Sequence, residues 1–317
     1  QFGFIIPNTF LRVTSYDSVR RYLVNNSKID SIYDFGDRVF DDAVTTAIVI
    51  TATKGKFDDF QTRLINKSTT GILRKSNIIE NEYVIAINFD VNSLKLLKKL
   101  KTNISLGSIC KEMIFGVVIT KNKGEVVSDK PIEGWKPFLE GKEIGPYYIK
   151  EVKQWLNYEP KLLHRARSKE VFEATEKIMI QRITGGNKPL KAAYDNQGLY
   201  NKESINNIIL KEDSPVQTKF VLALLNSKLI NWFYTIQFTN ESKLTVNLSK
   251  AYLSKIPLAI PNKIEENIII SNVNKTLSIK KQNPFADTSA LEQEIDQLVY
   301  KLYDLSEDEI QLIENAR

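Results

Sequence analysis

The chain has 317 residues, 42% of them hydrophobic and 26% charged, a balance that sustains a buried core and excludes disordered, collagenous and membrane-embedded classes. Lys and Arg (44) outnumber Asp and Glu (38) for a formal charge of +6, which suits a polyanionic partner without demanding one. A single cysteine, Cys110, excludes an internal disulfide and points to a reducing, cytoplasmic setting, while a single histidine, His164, excludes Cys/His zinc sites and histidine-based triads.

The sequence opens inside an apolar run, FGFII, without an initiator Met, so it reads as a fragment that begins with a buried strand ended by Pro7. Ser15, followed by Val19, Tyr22 and Leu23 at helical spacing, predicts a helix reaching Asn26. The β-branched runs at 29–36 and 45–53 predict strands on either side of a turn at 37–43. A further strand is expected at 83–89. After it a basic amphipathic helix at 93–101 sets Leu94, Leu97 and Leu100 on one face and Lys95, Lys98, Lys99 and Lys101 on the other, a lysine face either solvated or laid against phosphate.

The stretch KPFLEGKEIGPYYI at 136–149 is broken by Gly141 and by Gly145-Pro146, which puts Lys142, Tyr147 and Tyr148 on an irregular ribbon suited to presenting side chains. Arg165 and Arg167 stand just before a predicted helix, where a salt bridge, a phosphate and a guanine edge are all open. In EKIMIQRITGGNKPLKAAYD, strands at 178–183 and 190–194 enclose a basic turn flanked by Arg182 and Lys188, with Lys191 on the second strand, a hairpin that fits a groove. Trp135, Trp155 and Trp232 read as core. A helix is expected at 219–234, in which Asn226-Ser227 lowers the propensity and so implies a packing or hydrogen-bonding task. In the tail, Asp287 or Thr288 caps a helix carrying Leu291, Ile295, Leu298, Val299 and Leu302, and Ser306 with Glu309 forms a capping box for a last helix, whose acidic residues read as solvated surface rather than a metal site.

Leu139 to Tyr147 resembles the L-x-G-(K/R)-(D/E)-I-x-x-Y segment of TaqI-like C-terminal specificity domains, the target recognition domains of N6-adenine DNA methyltransferases and of type IIG-like fused restriction-modification enzymes. Leu225 to Leu229 is similar to that family's L-N-S-x-L, and the stretch 245–261 to its closing L-x-x-(L/I)-P-(L/I). FIIPNTFL and DFGDRVFDDAVTTAIVI resemble the closing section of an adenine methyltransferase domain, and the tail resembles the one that follows such specificity domains. The resemblance implies an α/β fragment, the last strands of a Rossmann-like methyltransferase domain (1–56), then a connecting segment (57–105), an α+β target recognition domain (106–262) and a helical C-terminal tail (263–317).

It further implies double-stranded DNA as partner, Phe40 as the ring that stacks on a flipped-out adenine, and Lys142, Tyr147, Tyr148, Arg165, Arg167, Arg182, Lys188 and Lys191 as DNA-binding residues. S-adenosylmethionine would serve the parent enzyme. The (N/D)-P-P-(Y/F) tetrapeptide and a Gly-rich cofactor loop are not found in this sequence, so the fragment is expected to hold no cofactor and no catalytic residue of its own. A non-catalytic specificity subunit, or another nucleic-acid-binding module, is the alternative. The oligomeric state and the base sequence read are left open.

Overall fold

The β-branched runs near the N-terminus form β2 (Ser27–Asp34) and β3 (Ala47–Lys54), which lie antiparallel with Ile32 opposite Ile50. The other side of β3 takes β1 (Phe2–Pro7), while β4 (Gln61–Ile65) lies parallel to β2 and β5 (Thr70–Arg74) returns antiparallel. The order β1-β3-β2-β4-β5 makes this a mixed five-stranded sheet. Contrary to the buried strand expected of FGFII, β1 is an edge, and Phe4 (60% exposed) and Ile5 (53%) face outward on its two sides, because among the described residues only β3 pairs with it.

The computed structural model describes residues 1–36, 46–66, 70–85, 91–120, 123–185, 188–239 and 246–316. These fall into two compact units, Gln1–Leu100 with Thr235–Glu241 and Lys101–Tyr234 with Ser242–Arg317. Phe40 and the turn expected at 37–43 lie outside the described residues. In the first unit the sheet buries Ile29, Ile32, Ile48, Ile50 and Leu64 against α1 (Asp17–Asn26) and α2 (Lys75–Glu80). Arg20 of α1 is 1% exposed; its guanidinium donates to the carbonyls of Phe10, Val13 and Tyr83 and lies 3.8 Å from the Asp17 carboxylate, so backbone and one counter-ion stand in for water around a buried cation. The basic helix forms as α3 (Val91–Leu100) and buries Leu96, Leu97 and Leu100. No strand begins at Tyr83, which instead turns the chain in a left-handed conformation (φ 61°); residues 86–90 lie outside the description.

The second unit is built on β6 (Cys110–Phe115), β7 (Lys136–Leu139), β8 (Gln154–Leu156), β9 (Lys177–Gln181), β10 (Ala192–Asp195) and β11 (Ile205–Leu210). β10-β9-β11-β6 make one antiparallel sheet; β7 and β8 form another with the short strands Tyr200–Asn201 and Val127–Ser128. β9 and β10 are the expected hairpin, with Lys177 opposite Asp195 and Ile180 opposite Ala192. At its root Lys177 and Asp195, both fully buried, form an ion pair; the Lys177 ammonium also donates to the carbonyl of Phe172, and the carboxylate accepts the N–H groups of Gln197 (2.8 Å) and Leu199 (3.0 Å). Burial pushes the Lys177 pKa down, and the attraction of Asp195 opposes it.

The single helix expected at 219–234 is two: α4 (Thr218–Asn226) and α5 (Lys228–Phe238), separated by Ser227 in extended conformation (ψ 153°). The break has the hydrogen-bonding task its composition implied. The Asn226 amide accepts the N–H of Ala192 (3.1 Å) and donates to its carbonyl (3.0 Å), and Asn231 accepts the N–H of Leu190 (2.8 Å), so two side chains satisfy backbone groups at the first residue of β10 and just before it. The tail forms α6 (Lys263–Gln282), capped reciprocally by Asn262 and Glu265, α7 (Ser289–Leu302) after Thr288, and α8 (Glu307–Glu314) on the Ser306/Glu309 capping box. Asp296 of α7 accepts the N–H of Lys228 (2.8 Å), an N-terminal cap for α5 supplied from elsewhere in the chain. Trp232 is buried, whereas Trp135 and Trp155 are only half-buried. Among the described residues no helix is long and apolar enough to cross a membrane.

Lys177→Met leaves the Asp195 charge buried without its counter-ion and should cost about 3 kcal/mol in the unfolding transition of the second unit, read by urea denaturation; a loss below about 1 kcal/mol would show that the pair contributes little. Burial raises the Asp296 pKa from 3.8 to about 6 despite the opposing bond from Lys228, so the folded state holds a proton that the unfolded chain releases. Its stabilising contribution is therefore complete below about pH 4 and lost as pH rises through about 6. Asp296→Asn keeps the cap and removes the titration, and its stability relative to the parent chain should grow by up to about 3 kcal/mol from pH 4 to pH 7 in thermal or urea melts. A pH-independent difference would count against this assignment.

Candidate nucleic-acid interface

Arg182 follows β9 directly, and its backbone is held on both sides: its N–H donates to the Ser204 carbonyl and its carbonyl accepts from Leu248 (both 2.8 Å). Its side chain swings over the ring of Phe115, the last residue of β6, with the guanidinium carbon 4.7 Å from the centroid, and Nη1 donates to the Glu203 carbonyl at 3.3 Å. Arg167 meets the same ring at 4.3 Å, and its Nε donates to the Phe115 carbonyl at 2.9 Å. One half-buried aromatic thus carries two guanidinium groups.

The chain after Phe115 explains how the two come together. A Cβ on Gly116 would sit 2.0 Å from the Asn201 carbonyl oxygen, so glycine alone allows β6 to run on past that backbone. Val118 then exchanges backbone hydrogen bonds with Arg165, which brings 165–167 alongside the end of β6. The Tyr158 hydroxyl donates to the Arg167 carbonyl, and Tyr158 is itself packed edge-on to Phe172 and Tyr200, whose rings stack at 4.4 Å. Arg165 is exposed two residues from Arg167. Burial and the charge of Arg165 both lower the Arg167 pKa, and it stays fully charged near neutrality. Among the described residues none of these three arginines has a carboxylate within ion-pair distance. Of the open readings for Arg165 and Arg167, the salt bridge is the one this geometry does not supply.

The residues of the 136–149 ribbon separate. Lys142 is exposed, 3.9 Å from the carboxylates of both Glu140 and Glu143, on a turn whose Gly141 packs so closely that a Cβ there would meet the Ser204 carbonyl at 2.9 Å. Tyr147 is not on a presentation surface: it takes a left-handed conformation (φ 63°), donates its N–H to the Ala192 carbonyl (2.8 Å) and is only 2% exposed, with burial driving its phenol pKa up. The break at Gly145-Pro146 turns that ring into the core. Tyr148 is half-buried and tilts against the exposed ring of Phe285 at 6.0 Å, with Lys280 and Lys150 near the two rings. At the hairpin, Lys188 is exposed and acts electrostatically on Asp296 and Glu314, while Lys191 is half-buried with its carbonyl in the β9–β10 ladder; residues 186 and 187 lie outside the description. Phe115 was not singled out from the sequence. A phenylalanine closing an apolar strand carries no signal that separates a platform for arginines from core.

Residues 136–258 match the TaqI-like C-terminal specificity domain. A protein of Methanocaldococcus jannaschii named as a type II restriction enzyme and methyltransferase is 27% identical over 330 residues, covering 95% of this chain and 27% of that protein. Among solved structures, the type IIL restriction-modification enzyme MmeI in complex with DNA superposes with a TM-score of 0.64 at 12% identity, over 99% of this chain and 49% of that one. The ATP-dependent type ISP restriction-modification enzyme LlaBIII bound to DNA does so with a TM-score of 0.51 at 10% identity, over 87% and 25%. At those identities the likeness is one of fold, and the chain spans about a quarter of the length of its curated relative and half or less of the two solved chains.

Proposed function

We propose, from the TaqI-like C-terminal specificity domain that residues 136–258 form, that this chain is the DNA target-recognition part of a restriction-modification protein that methylates adenine at N6. The observation that carries the reading is the set Arg165, Arg167 and Arg182, three cations with no carboxylate within ion-pair distance among the described residues, two of them fixed on one ring. Bringing like charges together costs free energy that an anionic ligand recovers, and DNA offers both phosphates and acceptor-rich base edges. Lys142, Lys188 and Lys191 would add phosphate contacts and Tyr148 a flat apolar surface, while the burial of Tyr147 leaves it a packing role.

The five-stranded sheet of the first unit is read as the closing strands of a Rossmann-like methyltransferase domain, with Phe40 stacking on the extruded adenine. S-adenosylmethionine belongs to the parent protein in this reading. The strand-to-helix junction between β5 and α2 has Arg74 and Lys75 where a cofactor loop would need glycine, so that junction does not fit the cofactor, and no chemical step is assigned to this unit.

A labelled duplex titrated with the chain at about 50 and 200 mM salt should lose affinity steeply, with a slope near −0.9 per phosphate contact. Arg182→Ala should relax the preference at one base position by about 1 to 3 kcal/mol on a panel of single-base variants. Salt-independent binding would remove the electrostatic basis of the proposal, and equal losses across the panel would make Arg182 a phosphate contact.

A further inference from the structure

We propose that Phe115 is a positioning residue that turns Arg167 and Arg182 into one rigid reading unit for guanine edges, an inference that rests on the DNA-recognition reading above. Each guanidinium is held by its ring contact and by one hydrogen bond, and what each has left is informative. Arg167 spends Nε on the Phe115 carbonyl and keeps its two terminal nitrogens, the end of the fork. Arg182 spends Nη1 on the Glu203 carbonyl and keeps Nε and Nη2, the side of the fork. Both therefore retain a pair of parallel N–H donors, the pattern that meets the O6 and N7 acceptors of guanine.

A phosphate makes no such demand. Its oxygens accept from many directions, and a flexible lysine serves it well, so immobilising an arginine plane brings little gain there. Fixing two planes on one ring before binding removes rotamer entropy that would otherwise be lost on complex formation, and that gain is largest where recognition is planar and bidentate. Phe115 is well placed for this. It is half-buried at the end of β6, paired through its backbone with Asn206 of β11, and it precedes the glycine whose close approach to Asn201 fixes the path of the strand. It also lies outside the matched stretch 136–258, so the unit is assembled from two separate parts of the chain.

The test is selection from a pool of duplexes with a randomised core, using the full chain at fixed salt, with melting temperatures recorded for each variant. The parent chain should enrich a motif containing guanine. Phe115→Leu should flatten one or two of those guanine positions by about tenfold or more while leaving binding to the unselected pool and its salt slope nearly unchanged, and Phe115→Trp, which keeps a ring face, should restore the motif. Arg182→Lys, which keeps the charge and cannot stack or fork, should flatten the same positions and decides the matter if Phe115→Leu proves unstable. An unaltered motif in Phe115→Leu and Arg182→Lys, or a uniform loss of affinity with the motif intact, overturns the proposal and leaves DNA recognition standing. A parent chain that enriches nothing overturns the recognition reading, and the proposal with it.

Discussion

The buried pair of Lys177 and Asp195 is the constraint on which the second unit depends. Two charges withdrawn completely from water are tolerable only because each has further partners: the Phe172 carbonyl for the ammonium, and the N–H groups of Gln197 and Leu199 for the carboxylate. Those extra bonds tie the root of the β9–β10 hairpin to the helical turn before it and to the loop after it. The register fixed there propagates along β9 to Arg182, whose position is thus set five residues away by an interaction it takes no part in.

The opposite edge of the hairpin is governed by amides. An outer strand such as β10 exposes backbone groups that would recruit another chain, and here Asn226 and the Tyr147 N–H occupy those of Ala192 while Asn231 takes the N–H of Leu190 just before the strand. The helical region pays for this with a break at Ser227; the Ser227 hydroxyl takes the Ile230 N–H (3.3 Å), but the Lys228 N–H still needs an acceptor. Asp296 supplies one from α7, and the burial that makes this possible also makes the carboxyl hold its proton to higher pH. Charge is organised locally as well: a net +6 is modest for the whole chain, but Arg167 and Arg182 lie on a single ring with Arg165 two residues from the first, and among the described residues none of the three has a carboxylate within ion-pair distance.

Periodicity and turn chemistry made the hairpin, the amphipathic α3 and the tail helices α7 and α8 legible, because each is decided within a short stretch of sequence. Apolar content alone misread β1 as buried, since whether a strand lies at the centre or the edge of a sheet depends on its neighbours and not on its composition. Tyr147 was misplaced for a similar reason. A glycine-proline break announces a turn, but the sign of the following φ decides which of two adjacent tyrosines enters the core. The arginines were visible as a residue type; their convergence required β6, β9 and the 165–167 segment to meet, contacts separated by up to 67 positions that no local pattern encodes.

The tail helices bear on how such domains can be exchanged between proteins. The Tyr303 hydroxyl donates to the Pro257 carbonyl (2.9 Å), Glu266 accepts the Gln217 N–H (2.7 Å), and Asp296 accepts that of Lys228, so residues beyond the matched stretch complete backbone groups within it. At the near end, β6 supplies a strand of the central sheet and the platform for the arginines. The cooperative unit is therefore wider than the region recognised by sequence likeness. A chimera spliced at 136 and 258 would inherit Arg165, Arg167 and Arg182 with their scaffolding cut on both sides, whereas one spliced outside β6 and α8 would carry the two together.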